Sequence, residues 1–385
     1  MINRIILNET SYFGRGSINK LSEELKSRGY RRVLLVTDKV LYENKIAQKA
    51  IDILTDNEIT LYVFMNIKAN PTIDNVKEGL TLAKTSNIDA IVAIGGGSVI
   101  DTSKAISIIL TNPEYSDVAS LEGVVNTKNK GFPLIAIPTT AGTAAEVTIN
   151  YVITNEEYNT KMVCVDPHDI PICSIIDPDL MQNMPQQLAA TTGMDALTHA
   201  IEGYITKNAW MMTDMFHINA MTLIYKNLEK AANEKDEEAV DNMAYAEYIA
   251  GMGFSNVGLG IVHSMAHALG AIFDTPHGLA NAILLPHVMK FNSRECLEAY
   301  RNMANALELD INDDMSDEEV ADYLVDAIKE LSKKLRIPQS LTEIGIPYEA
   351  IPLLAEKALA DVCTPGNPVN VDINDIKNIY KEAFH

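Results

Sequence analysis

Residues 88–110 read IDAIVAIGGGSVIDTSKAISIIL. Ala90–Ile94 is a short apolar run of strand length, and VIDTSKAISIIL after the glycines is helical in pattern. Similar runs occur at Arg32–Val36 (RVLLV), Leu61–Met65 (LYVFM) and Leu134–Ile137 (LIAI). Between the first three lie helix-like stretches such as Ile46–Thr55 and Thr72–Ser86. Continuous apolar strands separated by helical segments predict a parallel sheet with helices on both faces. Glu114–Lys130 is polar and reads as a loop or excursion. Asn150–Asp177 carries three more strand-like pieces, YVIT, MVCVD and ICSIID, which predict a hairpin on that sheet.

The character changes near Pro185. Beyond it, segments such as Gln186–Ile205, Thr213–Glu234 and Glu318–Lys334 are rich in Ala, Leu, Met, Glu and Lys at helical spacing. Met184-Pro185 suits a helix start with Pro in the first turn. The expected organisation is an α/β domain over residues 1–184 and an all-helical domain over residues 185–385. The acidic stretches Asn233–Glu238 and Asn312–Glu319 read as solvated helix ends.

Composition narrows the function. The 385 residues carry 31 Lys and Arg against 52 Asp and Glu, a formal charge of −21. That charge repels nucleic-acid phosphates and anionic lipid, so neither partner is expected. Hydrophobic content of 47% is enough for a packed core and excludes intrinsic disorder. Four cysteines without CxxC spacing are too few for a disulfide scaffold. The first residues, MINRIILNETSYFGRGS, lack the apolar core of a signal peptide, so a reduced cytoplasmic location is expected.

Gly95-Gly96-Gly97-Ser98 sits where the strand should turn into the helix. Glycines there let the backbone approach a phosphate, and the helix N-terminus attracts the anion. The pattern is neither GxGxxG nor the Lys-containing P-loop, and a plain tight turn explains it as well. Asp38 ends VLLVTD, where a carboxylate can accept from a ribose diol or simply cap the helix over Lys39–Gln48. Pro138-Thr139-Thr140-Ala141-Gly142-Thr143 follows LIAI and suits a phosphate or ribose contact, or a cap on a following helix.

The second half holds the stronger pattern. Asp195 and His199 are spaced i, i+4, as are His263 and His267, so each pair shares a helix face. His277 lies at an expected helix start. One carboxylate and several imidazoles on facing helices suit a metal ion. Singly, each histidine reads as an ordinary core residue; the pairing argues otherwise. His168, His217, His287 and His385 have no partner at ligand spacing and read as structural or solvent-facing.

These residues resemble the iron-dependent (group III) alcohol dehydrogenases. The markers are GGGS at Gly95–Ser98 with Asp101 and Lys104, PTTAGTAAEVT at Pro138–Thr148, GMDALTHAIEGY at Gly193–Tyr204, GLGIVHSMAHALGA at Gly258–Ala271 and TPHG at Thr275–Gly278. NYVIT, VCVDPHDIP, MGFSNVGLG and NAILLPHVM place it nearest the branch acting on lactaldehyde and 1,2-propanediol. The resemblance implies a dehydroquinate-synthase-like fold, with an α/β NAD-binding domain, an all-helical metal-binding domain and the active site in the cleft between. It implies a divalent iron held by Asp195, His199, His263 and His277, with His267 nearby but not a ligand. It places NAD(H) contacts on Asp38, Asn70, Gly96, Gly97, Ser98, Thr139, Thr140, Thr143, Lys161 and Leu180. It places a substrate pocket on Asn150, Val152, Phe254 and Cys363, and it implies a homodimer.

The expected activity is NAD-dependent interconversion of a short aldehyde and its alcohol, with His267 relaying the proton. Lactaldehyde with 1,2-propanediol comes first; another short alcohol or 1,3-propanediol is the alternative. A lyase-like cyclisation on the same scaffold would want a more basic site than His263–Phe273 offers. Three imidazoles and one carboxylate suit Zn(II) as well as Fe(II).

Overall fold

The computed structural model describes residues 2–385. The chain forms two compact units, Met1–Asn183 and Met184–His385.

The first unit alternates strands and helices. In chain order it holds β1 (Thr10–Phe13), α1 (Leu21–Ser27), β2 (Arg32–Val36), α2 (Lys39–Glu43), α3 (Gln48–Asp56), β3 (Thr60–Phe64), α4 (Ile73–Ser86), β4 (Ala90–Gly95), α5 (Gly97–Thr111), β5 (Gly123–Val124), β6 (Leu134–Pro138), β7 (Asn150–Asn155), β8 (Thr160–Val165) and β9 (Cys173–Ile176). Six strands form one parallel sheet of order β1-β9-β6-β4-β2-β3. Val33, Leu35, Val92, Ile94, Ile135 and Ile137 point to one face and pack with Leu21, Leu25, Ala50 and Leu54 of α1 and α3. Leu34, Val36, Ile91, Ala93, Leu134 and Ala136 point to the other and pack with Val76, Leu80, Ile100 and Ile106 of α4 and α5. Covering both faces is why these strands read as unbroken apolar runs rather than alternating ones. Each fully buried Leu, Ile or Val there contributes about 1.5–3 kcal/mol.

Several expectations need correction. The hairpin forms between β7 and β8, but in a separate three-stranded sheet of order β5-β8-β7. The place beside β6 in the main sheet belongs to β9, so the hairpin pairs elsewhere and packs on α5. Its burial alternates along β7, as a layer with one covered face should. Glu114–Lys130 is not wholly loop; it holds two short 3-10 turns and β5. The helix after Asp38 ends at Glu43 rather than Gln48. Among the described residues no helix follows Pro138–Thr143; bends and a turn over Ala145–Val147 lead to β7. β1, an edge strand of sequence TSYF with no fully buried residue, gave no apolar signal.

The second unit is helical throughout its described secondary structure: α6 (Gln186–Ile205), α7 (Met211–Asn233), α8 (Glu237–Val257), α9 (Ile261–Phe273), α10 (His277–Asn292), α11 (Leu297–Ala306), α12 (Asp317–Lys334), α13 (Ile351–Leu359) and α14 (Ile373–Glu382). Pro185 is the residue capping α6. α6, α7 and α8 pack on one another, while α10 packs on α6 and α9. His217 of α7 fills a slot between two glycines: a Cβ on Gly203 or Gly253 would lie 2.3 or 2.2 Å from its Nε2. Burial pushes this imidazole down to about 3, so it packs as a neutral ring. Among the described residues no single helix is long and apolar enough to cross a membrane.

Candidate active site

α6 is built from small residues, and this lets its neighbours come close. A Cβ on Gly278 at the start of α10 would lie 2.4 Å from the Thr191 carbonyl oxygen of α6. The approach brings His277 to Asp195 and His199, which lie one turn apart on α6. α9 adds His263. One ligand atom from each of Asp195, His199, His263 and His277 falls within 4.8 Å of the others. His263 Nε2 is 3.8 Å and His277 Nε2 is 3.6 Å from Asp195 Oδ1.

Burial and then the surrounding imidazoles push His263 well below its ordinary value. It is therefore a neutral ring with a nitrogen lone pair to give, as metal ligation requires. Three imidazoles and a carboxylate converging at one place, with His277 half-buried and the others buried, fit a divalent transition metal. The side chain of Phe254 lies flat on His199, with centroids 4.1 Å apart and planes 9° apart. Phe254 thus supports a ligand directly, a role the sequence did not suggest.

His267 does not join the four. Its ring stacks on His277 at 5.4 Å, and its Nδ1–H donates to Asp361 Oδ2 at 2.9 Å. Burial, the largest single influence, would raise Asp361, but the facing His267 and the hydrogen bonds from Cys363 together hold the carboxyl below its ordinary value. Asp361 also accepts from Ser264 Oγ at 3.2 Å and from the Cys363 N–H at 2.8 Å. Burial pushes the Cys363 thiol well up, so it is no thiolate.

Three polar partners escaped the sequence reading. The Asn281 amide donates to Asp195 Oδ1 at 2.6 Å and lies 3.3 Å and 3.2 Å from Nε2 of His263 and His277. Glu202 Oε2 accepts from His263 Nδ1–H at 2.6 Å. Burial pushes Glu202 up to about 8, against the pull of backbone N–H groups at Gly260, Val262 and His263. Asp361 is the third. The signal was present: Glu202 is three residues after His199 and Asn281 four after His277, polar positions on otherwise apolar helix faces.

In the first unit most of the expected nucleotide residues lie on segments that follow strands of the parallel sheet, while Lys161 lies on β8 of the other sheet. β2 leads on to β3 on one side, whereas β4 leads on to β6 on the other, so the strand order reverses between them. Open α/β sheets bind ligands at such a reversal. Asp38 follows β2, and Gly96 and Gly97 follow β4 and open α5. A Cβ on Gly97 would lie 2.9 Å from Thr143 Cγ2, and one on Gly96 would lie 3.4 Å from Thr140. Thr139 N–H donates to Gly95 O at 3.1 Å, so the two loops are joined. Ser98 Oγ donates to the Ala69 carbonyl, and Lys161 Nζ donates to Asn70 Oδ1. Leu180 follows β9 and packs against the core cluster that includes residues of α1 and α3. Asp38 Oδ1 accepts the Leu41 N–H at 2.9 Å, so the helix-cap reading of Asp38 holds at least for that oxygen. Asn150 and Val152 lie on β7: the Asn150 carbonyl accepts from buried Lys104 at 2.9 Å, and the Val152 N–H donates to Asp101 at 3.0 Å.

Comparison with known proteins decides the family. The profile described as "Iron-containing alcohol dehydrogenase" matches residues 8–178, and the C-terminal profile of the Fe-containing alcohol dehydrogenase family matches residues 189–384. The chain belongs to the iron-containing alcohol dehydrogenases. It is 51% identical over 384 residues to the lactaldehyde reductase of Escherichia coli K12, covering 100% of both chains. It is 40% identical to the 1,3-propanediol dehydrogenase of Citrobacter freundii, covering 98% of both. The solved alcohol dehydrogenase of Oenococcus oeni superposes with a TM-score of 0.96 at 38% identity, covering 100% of both chains. As an iron-containing alcohol dehydrogenase the chain is an oxidoreductase using NAD(H) and iron.

Proposed function

We propose that this iron-containing alcohol dehydrogenase interconverts lactaldehyde and 1,2-propanediol. Two things support the reading: the cluster of Asp195, His199, His263 and His277, of which the first three are buried, and 51% identity across the whole length of a lactaldehyde reductase. Those four side chains hold the metal, which when bound supplies a Lewis acid for the carbonyl oxygen. NAD(H), when bound, would supply the hydride chemistry of the interconversion. Asp38, Asn70, Gly96, Gly97, Ser98, Thr139, Thr140, Thr143, Lys161 and Leu180 hold NAD(H). Asn150, Val152, Phe254 and Cys363 line the substrate site, and the enzyme acts as a homodimer in a reduced cytoplasm.

The substrate oxygen must also gain a proton. His267 is the relay: Asp361 takes its Nδ1–H, which leaves Nε2 as the nitrogen that exchanges. Asp361→Asn is expected to lower kcat by about 10–100-fold and change the shape of its pH profile, with KM little altered. An unchanged pH profile and kcat would remove His267 from the reaction.

The test of the function is NADH oxidation over a panel of aldehydes after anaerobic iron loading. Lactaldehyde should be turned over with the highest kcat/KM, ahead of 3-hydroxypropanal and of an eight-carbon aldehyde. Phe254 limits chain length, and each methylene excluded is worth roughly 1–3 kcal/mol. Preference for 3-hydroxypropanal would move the enzyme to the 1,3-propanediol reading; equal use of the eight-carbon aldehyde would reject the narrow pocket.

Cofactor choice gives a further expected result. The Asp38 cap bond uses Oδ1, and Oδ2 is the atom to take a ribose hydroxyl. The extra phosphate of NADP(H) about 5 Å from that carboxylate would meet roughly 3 kcal/mol of repulsion at an effective dielectric near 20. Screening brings this to about 1.5–2 kcal/mol, still more than tenfold in affinity. Asp38→Gly should therefore narrow the preference for NAD(H), mainly by improving NADP(H) binding. An unchanged ratio would leave Asp38 a helix cap alone.

A further inference from the structure

The carboxylate of Glu202 is fully buried on α6, one turn beyond His199, and it meets α9 at two kinds of group. Oε1 accepts the Val262 N–H at 2.7 Å, and Oε2 takes the His263 N–H at 3.4 Å. These N–H groups lie in the first turn of α9, where a helix leaves its donors unsatisfied. Oε2 also lies 2.6 Å from His263 Nδ1. The Asn281 amide nitrogen, a donor, lies 3.3 Å from Nε2, so Nε2 carries the lone pair and Nδ1 carries the proton that Oε2 accepts. That Nε2 is the atom facing Asp195 and Asn281. Gly260 makes room for the arrangement: a Cβ there would lie 2.8 Å from Glu202 Oε1.

We propose that Glu202 is a positioning residue for the metal: by gripping both the backbone and the ring of His263 it selects the tautomer and aim of that ligand. This rests on the assignment of His263 as a ligand. A histidine ligand whose other nitrogen is fixed by a carboxylate is more basic and loses less freedom on binding, and removing such a partner typically costs 10–100-fold in metal affinity. Helix capping alone would predict something else, a loss of stability that is the same with and without metal.

Glu202→Gln separates the two. Its amide has one acceptor, so it cannot serve the Val262 N–H and the His263 Nδ1–H together; an NH2 turned to Nδ1 would favour the tautomer protonated on Nε2, which cannot ligate. The probe is Zn(II) alone, titrated against a chelator, with melting temperatures of apo and metal-loaded protein and the visible spectrum of the Co(II) form. Expected are a Zn(II) affinity about 10–100-fold weaker than wild type, a smaller melting increment on loading and an altered Co(II) spectrum. Equal affinity and equal increment, with only the apo melting temperature lowered, would make Glu202 a cap and overturn the proposal. If Glu202→Gln does not fold, Glu202→Asp decides: the retracted carboxylate should weaken Zn(II) at least about tenfold, and unchanged affinity overturns the proposal. Failure of the wild-type protein to bind Zn(II) or iron would instead reject the metal site itself.

Discussion

His263→Ala is expected to abolish turnover while the helical unit stays folded. The ligand atoms of Asp195, His199, His263 and His277 converge within 4.8 Å, and His263 is buried among them as a neutral ring. Taking it away leaves one carboxylate and two imidazoles, and losing one of four ligands weakens the hold on a divalent ion against solvent and chelators. A metal acting as a Lewis acid supplies several kcal/mol of transition-state stabilisation, so kcat should fall by about a thousandfold or more. The substitution also leaves the buried Glu202 carboxylate without its ring partner, which costs about 1–3 kcal/mol. That cost is borne by a unit whose α6–α8 and α9–α10 packing has its own extensive apolar core. Metal analysis should show little bound iron or zinc, and circular dichroism should show the wild-type helix content. Full occupancy with normal turnover would reject the ligand assignment.

Gly278→Ala is expected to damage both stability and metal binding, although the residue bears no functional group. Its Cα faces the α6 backbone so closely that a Cβ would lie 2.4 Å from Thr191 O and 2.8 Å from Thr191 C, with Asp195 Cβ at 3.4 Å. Backbone atoms cannot rotate away as a side chain can, so α10 must shift from α6. Overpacking of this kind costs about 1–3 kcal/mol, partly offset by the roughly 1 kcal/mol that Ala gains over Gly in a helix. The shift carries His277, the preceding residue, away from Asp195 and His199. Net destabilisation of up to about 2 kcal/mol with at least tenfold weaker metal binding is expected, read by denaturant unfolding of the apo protein and by chelator competition. Wild-type values for both would show that the α6–α10 approach does not set the site.

By itself the sequence determined the parallel sheet, the helical second half and the candidate ligands. Each of these has a local cause. Strands covered on both faces must be apolar throughout, as Ala90–Ile94 is, and glycines must stand where β4 turns into α5. Histidines one helical turn apart on an apolar segment are visible as spacing alone. Tertiary structure decided what spacing cannot carry. The β7–β8 hairpin left the main sheet because β9, a later segment, took the place beside β6. β1 joined the sheet at an edge, where pairing with β9 supplies the hydrogen bonds and its residues need not be apolar. Glu202, Asn281 and Asp361 carry no motif of their own. Their partners lie 61, 86 and 94 residues away at His263, Asp195 and His267, and only the packing of α6, α9 and α10 with the segment after α13 brings each pair within hydrogen-bond reach. A lone polar residue on an apolar helix face tells that a partner is needed; which partner answers is settled by the folded chain, because leaving a buried polar group unpaired costs more than any local preference.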